Sequence, residues 1–238
     1  MDQLSRTRLL LGEEAMQRLR HAKVAVFGLG GVGGYTVEAL ARSGIGALTL
    51  VDHDTISLTN LNRQIFATHA TIGQYKAEVA ARRVAEIDPQ IAVSACKTFY
   101  TPQTAGEFDF SQFDYIIDAI DTVTGKLALI QQAKAAGTPI ISCMGTGNKL
   151  DPTAFRVADI HKTSGCHLAR IMRKECRKRG IDSLKVVYSP EEPIEPQIDP
   201  KNRELPPEGR RALPGSCAFV PSVAGLLIAA EVINDLLK

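Results

Sequence analysis

A run of apolar residues that leads into glycines is the first feature of this chain that could do chemistry. Val24 to Phe27 is apolar, and the sequence Gly28-Leu29-Gly30-Gly31-Val32-Gly33 follows directly. The first two glycines of such a pattern let the backbone turn tightly and approach phosphate oxygens, and the third lets a helix pack close to the strand. Phosphate then meets the free amide groups at a helix N-terminus. We therefore expect Gly28, Gly30, Gly31 and Gly33 to bind a nucleotide.

A carboxylate at the end of the next apolar run supports this interpretation. Ala47 to Val51 is apolar and ends at Asp52, which lies roughly 20 residues beyond the glycines, where a ribose-binding carboxylate is expected. A glycine-rich turn alone also occurs where two elements merely pack closely. The spacing to Asp52 favours a nucleotide site over that structural explanation.

The loop after Asp52 is rich in polar groups and favours a nucleoside triphosphate over a dinucleotide. Asp52-His53-Asp54 leads into Leu58-Thr59-Asn60-Leu61-Asn62-Arg63-Gln64, and Gly73-Gln74-Tyr75-Lys76 follows. Hydride transfer needs no such loop, whereas departing pyrophosphate carries charge that fixed cations must neutralise. Arg63 and Lys76 are the predicted cations, although either could by itself be a solvated surface charge.

Asp121 is the predicted magnesium ligand. It follows an apolar strand that ends at Asp118, and it therefore lies at the carboxyl edge of the sheet, where ligands of doubly wound folds bind. A carboxylate there can hold the Mg²⁺ ion that bridges the phosphates, and Thr122 is expected to contact the nucleotide. The structural alternative for Asp121 is a helix N-cap.

The elements that must position these residues alternate between strands and helices up to Cys143. The predicted strands are 23–27, 47–51, 91–95, 114–118 and 139–143, and the predicted helices are 32–43, 74–87 and 123–136. This alternation is typical of an α/β protein with a doubly wound, mainly parallel, Rossmann-like sheet. We expect an N-terminal arm or helix over 1–22 and a nucleotide-binding core over 23–150.

The second part of the chain has a different character. We predict a strand at 154–159, a basic helix at 165–180 and another strand at 184–188. The segment from Ser189 to Pro214 contains seven prolines and many charges, which favours an irregular, mobile crossover. A closing helix over 217–237 is expected to return to the sheet. We assign 159–214 to a basic insertion with crossover and 215–238 to the C-terminal helix, all within one domain, 1–238.

Composition limits the compartment and the cofactors. The chain has 238 residues, 45% of them hydrophobic, and a net charge of +2. The N-terminus lacks the apolar core of a signal peptide, and we see no stretch of about 20 continuous apolar residues, so we expect a cytoplasmic protein without a membrane partner. The five cysteines include no Cys-x-x-Cys pair, which argues against a zinc site and favours structural thiols.

The motifs together closely resemble the adenylating domain of the ubiquitin-activating-type (ThiF/MoeB/HesA-like) enzymes, over nearly the whole chain. The resemblance implies that ATP and Mg²⁺ are bound and that a substrate carboxylate attacks the α-phosphate. The nucleotide ligands it implies are Gly31, Asp52, Asn60, Arg63, Lys76 and Asp121, and we add Asp54, Gln64 and Thr122 as neighbours in the same motifs. The segment Arg6-Thr7-Arg8 resembles an arm whose second arginine, here Arg8, reaches the triphosphate of the partner subunit. That implies a homodimer.

Departures from the family pattern point to one branch of it. The sulfur-carrier adenylyltransferases usually bind zinc through two Cys-x-x-Cys pairs, and the true ubiquitin-activating enzymes carry a separate thiol-bearing domain, whereas this chain has neither. It has instead a basic segment, which resembles the tRNA threonylcarbamoyladenosine dehydratase branch. That resemblance implies a tRNA substrate whose threonine carboxylate is adenylated before the ring closes with net loss of water. The predicted RNA ligands are Lys162, Arg170, Arg173, Lys174, Arg177 and Lys178.

Three alternatives stay open at this point. The basic helix could be an ordinary solvated face. The same site could instead adenylate the C-terminal carboxylate of a ubiquitin-like sulfur carrier. The partners expected for the dehydratase branch are tRNA, a second copy of the chain and a sulfur-relay partner of the cysteine desulfurase type. A non-catalytic nucleotide- or NAD-binding module would need only the glycine-rich turn and Asp52, and Arg63, Lys76 and Asp121 argue against it.

Overall fold

A computed structural model describes residues 2–197 and 214–238. The strands are β1 (Lys23–Phe27), β2 (Ala47–Val51), β3 (Ala92–Cys96), β4 (Tyr115–Asp118), β5 (Ile140–Cys143), β6 (Arg156–Asp159) and β7 (Lys185–Tyr188). The α-helices are α1 (Ser5–Leu11), α2 (Glu13–His21), α3 (Gly33–Arg42), α4 (Lys76–Ile87), α5 (Val123–Ala136), α6 (His167–Lys178) and α7 (Phe219–Leu236). Each strand and helix expected from the sequence is present in this part of the chain, with boundaries that differ by at most two residues.

All seven strands form one sheet, in the order β3-β2-β1-β4-β5-β7-β6. The neighbours are parallel, except that β6 runs antiparallel to β7 at the edge. In this register Phe27 at the end of β1 lies beside Val51 on one side and Asp118 on the other. The strand order reverses between β1 and β4, and in doubly wound sheets ligands bind at such a reversal, outside the carboxyl ends of the strands. The topology confirms the predicted Rossmann-like fold.

The sheet is covered on both faces. One apolar cluster joins the sheet to α3, α4 and α7, and a second joins it to α5 and α6. Every residue of β4 and β5 is buried, as expected for central parallel strands with helices on both sides. Gly137 ends α5 in the left-handed conformation, with φ of 72°, and its amide donates to the carbonyl groups of Ala133 and Lys134. The core therefore fixes where each strand ends.

The range 159–214 contributes to this sheet as well as carrying the basic helix. It contains β7, which lies between β5 and β6, so the main sheet extends past the predicted core of 23–150. The predicted mobile crossover, 189–214, lies mostly outside the described residues. Its described beginning, 189–197, has no regular secondary structure.

One helix in the described part of the chain, α7, is long and apolar enough to cross a membrane. It is not a continuous apolar run, because it includes Glu231, Asn234 and Asp235. In the structure α7 packs on α3, and Ala224, Ile228 and Val232 of α7 are buried in the larger core cluster. Length and apolarity are equally typical of a core helix of this kind.

Candidate active site

A cleft of about 780 Å³ opens at the carboxyl ends of β1, β2, β4 and β5. It is large enough for a nucleotide together with part of a second substrate. The predicted site residues that line it are Gly28, Gly30, Gly31, Asp52, Asp54, Asn60, Arg63, Gln64, Lys76, Asp121 and Thr122. Residues from five separate segments of the sequence are thus brought together, as the strand order requires.

The glycine-rich turn can be built only with glycine at two of its positions. Gly28 has φ of 89°, and a Cβ atom there would lie 2.7 Å from the carbonyl oxygen of Ala119. A Cβ atom on Gly33 would lie 1.8 Å from the carbonyl oxygen of Gly28. Gly33 does not line the cleft, so its role is to let α3 begin directly against β1. Gly30, Gly31 and Val32, which line the cleft, immediately precede α3, so the helix begins beside the cleft, as a phosphate site at a helix N-terminus requires.

Asp52 holds the turn in place. Its Oδ2 accepts a hydrogen bond of 2.7 Å from the amide of Leu29, and its Oδ1 accepts one of 2.9 Å from the amide of Asp54. Each oxygen keeps further acceptor capacity, because a carboxylate oxygen has two lone pairs. The buried carboxylate can therefore bind a ribose hydroxyl while it joins the loops after β1 and β2.

Lys76 is a buried cation with a carboxylate beside it. Its Nζ donates to Asp54 Oδ2 at 2.7 Å, and its backbone amide donates to the carbonyl oxygen of Asp54 at 3.0 Å. Lys76 is the first residue of α4 and is 6% exposed, whereas the side chain of Asp54 is half exposed. Both contacts fix the lysine at the wall of the cleft. Asp54 thus contacts the cation that is predicted to bind phosphate.

Arg63 is held only by neutral oxygen atoms in the described structure. Its Nη1 donates to the carbonyl oxygen of Thr59 and to Asn62 Oδ1, both at 2.9 Å. Burial lowers the pKa of the Arg63 guanidinium from its ordinary value. A partly desolvated guanidinium whose acceptors are all neutral attracts an anion strongly. This environment suits a group that neutralises a triphosphate.

Asp121 and Thr122 lie where β4 has ended and α5 begins. Thr122, rather than Asp121, is the N-cap residue of α5. Asp121 therefore precedes the N-cap position, and it lines the cleft. Carboxylate oxygens are the ligands that Mg²⁺ prefers, so the residue type fits the predicted role.

Arg8 lies outside the cleft of its own chain. It is on α1, where it forms ion pairs with Asp2 at 2.9 Å and with Glu13 at 2.8 Å. The hydrogen bond with Asp2 raises the pKa of Arg8 and lowers that of Asp2. The predicted action of Arg8 at a partner's nucleotide stays a prediction.

The far half of the cleft is built by residues outside the predicted site. They are Cys143 at the end of β5, 144–149 after it, 166–168 at the start of α6, and Pro193, Pro214, Ser216 and Pro221. His53, Phe99 and Tyr100 line the nucleotide half in addition to the predicted residues. Only the segment after β5 had a signal in the sequence, because Gly145-Thr146-Gly147 follows a predicted strand and so lies at the ligand-binding edge of the sheet.

The loop after β5 holds both described ends of the crossover. Asn148, at φ of 58°, accepts from the amide of Ile194 through its carbonyl oxygen, and it exchanges hydrogen bonds with the backbone of Gly215. The buried ammonium of Lys149 donates to the carbonyl oxygens of Ser189 and Glu191. The far half of the cleft is thereby enclosed by segments that are distant in sequence.

The basic helix α6 begins at the mouth of the cleft. His167 and Leu168 line the cleft, while Ala169, Met172 and Cys176 are buried against the second core cluster. The opposite side is exposed and carries Arg170, Lys174 and Arg177, which we call the basic face. These positions follow the i, i+4, i+7 spacing of one helix face.

The six predicted RNA ligands are not equivalent. Arg173 is half buried, and its Nη1 donates to the carbonyl oxygen and to the hydroxyl oxygen of Thr163. Lys178 is paired with Glu175 at 3.0 Å. Lys162, Lys174 and Arg177 are exposed and have no ion-pair partner among residues 2–197 and 214–238. Arg173 therefore has a structural contact, whereas Lys162, Lys174 and Arg177 are accessible to a phosphate backbone.

The described thiols and acidic groups bear on metal and nucleophile chemistry. Burial raises the pKa of the Cys143 thiol to about 12, and burial also raises the pKa values of Cys96 and Cys176. Such thiols are poor nucleophiles at neutral pH. Asp52, His53 and Asp54 are the one described group of three or more residues close enough to share a metal ion, and no cysteine belongs to it.

Comparison with known proteins places the chain in a family. The ThiF family model matches residues 4–238. The chain is 43% identical to a tRNA threonylcarbamoyladenosine dehydratase of Bacillus subtilis, over all of this chain and 96% of that protein. A crystal structure of the Escherichia coli enzyme in complex with ATP matches with a TM-score of 0.88 at 32% identity, over 99% of this chain and 93% of the other.

A more distant relative belongs to the alternative function. The chain is 35% identical to the molybdopterin-synthase adenylyltransferase of Escherichia coli, over 71% of this chain and 68% of that protein. The dehydratases match over more of the chain, with higher or similar identity. From the family model and these full-length similarities together, the chain belongs to the ThiF family.

Proposed function

We propose that this protein is an ATP-dependent tRNA threonylcarbamoyladenosine dehydratase. The observation that carries the proposal is the continuity of one cleft, which runs from a nucleotide site at the glycine-rich turn to the start of an exposed basic helix. That arrangement lets a nucleoside enter the far half while its phosphate backbone follows the basic face. The full-length similarity to the bacterial dehydratases supports the same conclusion.

The chemistry begins with activation of a carboxylate. An oxygen of the threonyl carboxylate attacks the α-phosphorus of ATP, the bond to the β-phosphate breaks, and pyrophosphate leaves. Negative charge increases on the departing group, and Arg63 and Lys76 are the cations that can neutralise it. Asp121 would hold the Mg²⁺ that supplies further charge neutralisation at the phosphates.

Ring closure needs no protein nucleophile. Once the carboxylate is joined to AMP it has a good leaving group, and the carbamoyl nitrogen or oxygen of the same molecule attacks the acyl carbon. AMP departs, one proton is lost, and the nucleoside has lost one water that ATP cleavage has taken up. The intramolecular attack benefits from a high effective concentration of the attacking atom. The Cys143 thiol at the cleft is a poor nucleophile because burial raises its pKa, and this route does not require it to react.

Recognition of tRNA would rest on exposed cations beside the cleft. Arg170, Lys174 and Arg177 share the basic face, and Lys162 precedes the helix. Exposed cations of this kind bind a phosphate backbone with little sequence preference and strong salt dependence. A solvated face without RNA, the alternative interpretation, does not explain why the helix begins in the cleft wall.

A homodimer completes the proposal. α1 exposes Leu9 and Leu10 at 87% and 86%, an arrangement that favours an apolar interface with a second copy of the chain. Arg8 lies between Arg6 and these leucines, so docking of the arm on a partner would carry Arg8 with it. The sulfur-relay partner and the cytoplasmic location stay predictions from the sequence.

The deciding experiment is mass spectrometry of nucleosides. We would incubate tRNA that contains threonylcarbamoyladenosine with the protein and Mg-ATP, then digest it under mild conditions that preserve the ring. We expect the modified nucleoside to lose the mass of one water, with dependence on ATP and with AMP formed in equal amount. Asp121→Ala should abolish the change.

Two other outcomes would redirect the assignment. An unchanged nucleoside with AMP formed only when a carrier protein ending in Gly-Gly is added would establish the sulfur-carrier adenylyltransferase instead. Binding of nucleotide without any AMP under either condition would leave a nucleotide-binding module.

A further inference from the structure

A fully buried ion pair lies beneath the cleft and has no part in the chemistry described so far. Asp118 is the last residue of β4, and Lys126 lies on α5, eight residues later. Lys126 Nζ is 2.9 Å from both Asp118 oxygens, and both side chains have no exposed surface. Neither residue lines the cleft. Burial of two charges costs desolvation free energy, and a well-packed apolar pair in the same place often gives an equally stable fold. Stability alone therefore does not explain why this pair is present.

The pair connects the ends of two adjacent strands. Lys126 Nζ also donates to the carbonyl oxygen of Cys143, the last residue of β5, at 2.7 Å. The hydroxyl of Ser142 donates to Asp118 Oδ2. Asp118 Oδ1 accepts in addition from the amide of Ile120, in the loop that follows β4. The Asp118–Lys126 pair therefore joins the carboxyl ends of β4 and β5.

The two loops that leave these strands form different parts of the cleft. After β4 come Asp121 and Thr122, in the nucleotide half, and after β5 come residues 144–149, in the far half. Adenylation requires the attacking carboxylate to meet the α-phosphorus in line, and displacement of about 1 Å can cost about 100-fold in rate. Whatever fixes one loop relative to the other therefore fixes that approach.

We propose that Asp118 and Lys126 are positioning residues that set the nucleotide-holding loop relative to the substrate-holding loop. The pair then acts on the rate of adenylate formation and not on the affinity for ATP. This inference rests on the proposed function, because it assumes that a carboxylate substrate occupies the far half of the cleft.

The test compares a charge-free pair with a distant control. Asp118→Asn combined with Lys126→Met removes both charges at nearly constant volume, so we expect the melting temperature to stay within about 5 °C of wild type. The control is Asp88→Asn, which breaks the Arg20–Asp88 ion pair of 3.0 Å between α2 and the end of α4, outside the cleft. That control should lose stability and keep its activity.

The readout is ATP–pyrophosphate exchange driven by the modified tRNA, with the ATP Kd measured separately by calorimetry. We expect the double variant to show kcat about 10- to 100-fold lower, with the Kd changed by less than about threefold. An exchange kcat within twofold of wild type would overturn the inference, as would a loss confined to ATP affinity. If the double variant does not fold, Ser142→Ala removes one bond to Asp118, and an unchanged kcat in that variant would overturn it equally.

Failure of the proposed function would be visible separately. Wild-type protein that shows no exchange with the modified tRNA would count against the function and not against the pair. Hydrolysis of ATP to AMP, or exchange with a carrier protein, then supplies the kcat for the same comparison of variants.

Discussion

Cations in two regions of this molecule differ in how they are held, and the difference indicates what each group can do. In the nucleotide half of the cleft, Lys76 is buried against Asp54 and Arg63 is half buried among neutral acceptors. On α6, Lys174 and Arg177 are exposed, with no ion-pair partner in the described chain. Desolvated, fixed charges act strongly on charge that develops at one point, whereas exposed charges act weakly and over a surface.

We therefore expect the buried cations to act in the chemistry and the exposed cations to act in tRNA binding. Substitutions in the cleft should change the rate of ATP cleavage and depend little on salt. Substitutions on the basic face should change the affinity for tRNA and depend strongly on salt. Each of the following measurements can break that division.

The largest expected effect is that of Asp121→Ala. Loss of the carboxylate removes the predicted Mg²⁺ ligand in the cleft wall, so we expect AMP formation to fall by about 1,000-fold or more at saturating ATP. Asp182→Ala, a charge-matched change at an exposed position outside the cleft, should leave the rate unchanged. A rate for Asp121→Ala within tenfold of wild type would contradict the assigned role.

The next effect concerns Arg63. Arg63→Ala should lower kcat/KM for ATP by about 100-fold, because the charge that faces the triphosphate is lost. Arg63→Lys keeps the charge but lacks the planar guanidinium, whose Nη1 donates to Thr59 and Asn62 and whose other N–H groups could face a phosphate, so it should recover only part of the activity. Steady-state kinetics at low and high salt would show whether the effect is independent of ionic strength, as a partly buried site requires. Full activity of Arg63→Ala would contradict the prediction.

A smaller effect is expected on the basic face. Lys174→Glu with Arg177→Glu should weaken tRNA binding about tenfold or more at low salt and reduce the slope of log K against log salt by about 2. The Kd for ATP should not change. Arg18→Glu with Arg82→Glu alters the net charge equally on α2 and α4 and should have little effect on tRNA. Equal loss in both double variants, measured by filter binding, would mean that the basic face has no specific role.

The nucleotide half of the cleft was largely predictable because its information is local in sequence. The glycine-rich turn, Asp52 and Asp121 follow strands and Lys76 begins a helix, and parallel strands bring such positions to one edge. Arg63 lies in the loop that joins Asp52 to Lys76. A pattern of glycines also reports backbone geometry directly, as the contacts of Gly28 and Gly33 show.

The rest depends on tertiary packing that sequence patterns do not encode. β7 lies between β5 and β6, and strand propensity says nothing about which neighbour a strand takes. The far half of the cleft combines segments near 145, 167, 193, 215 and 221. Arg173 has the same residue type as its neighbours, and only the position of Thr163 shows that it is a structural contact. The sequence does not predict the role of the Asp118–Lys126 pair either, because that role depends on which strand ends the pair joins in the folded chain.

The smallest effect lies in a charged cluster remote from both regions. Burial by itself would raise the pKa of Asp235 on α7, but hydrogen bonds from Lys185, Lys238 and Tyr115 outweigh it and lower the pKa to about 2. In the unfolded chain the carboxyl has a pKa of about 3.9. Because the folded value is the lower one, the cluster stabilises the fold fully above pH about 4, and this contribution is lost as the pH falls towards 2.

Asp235→Asn removes that contribution and gives a reference for effects of charge on stability alone. Since the carboxyl is partly exposed, we expect about 1 kcal/mol lower stability at neutral pH and a smaller difference from wild type at pH 3. Urea unfolding at the two pH values measures this, and AMP formation and tRNA affinity at neutral pH should both stay at wild-type levels. A stability difference that grows as the pH falls would mean that the Asp235 carboxylate is not stabilised in the folded chain. A change in either activity would mean that charges outside the cleft and α6 also reach the reaction, and the division between the two regions would then be too simple.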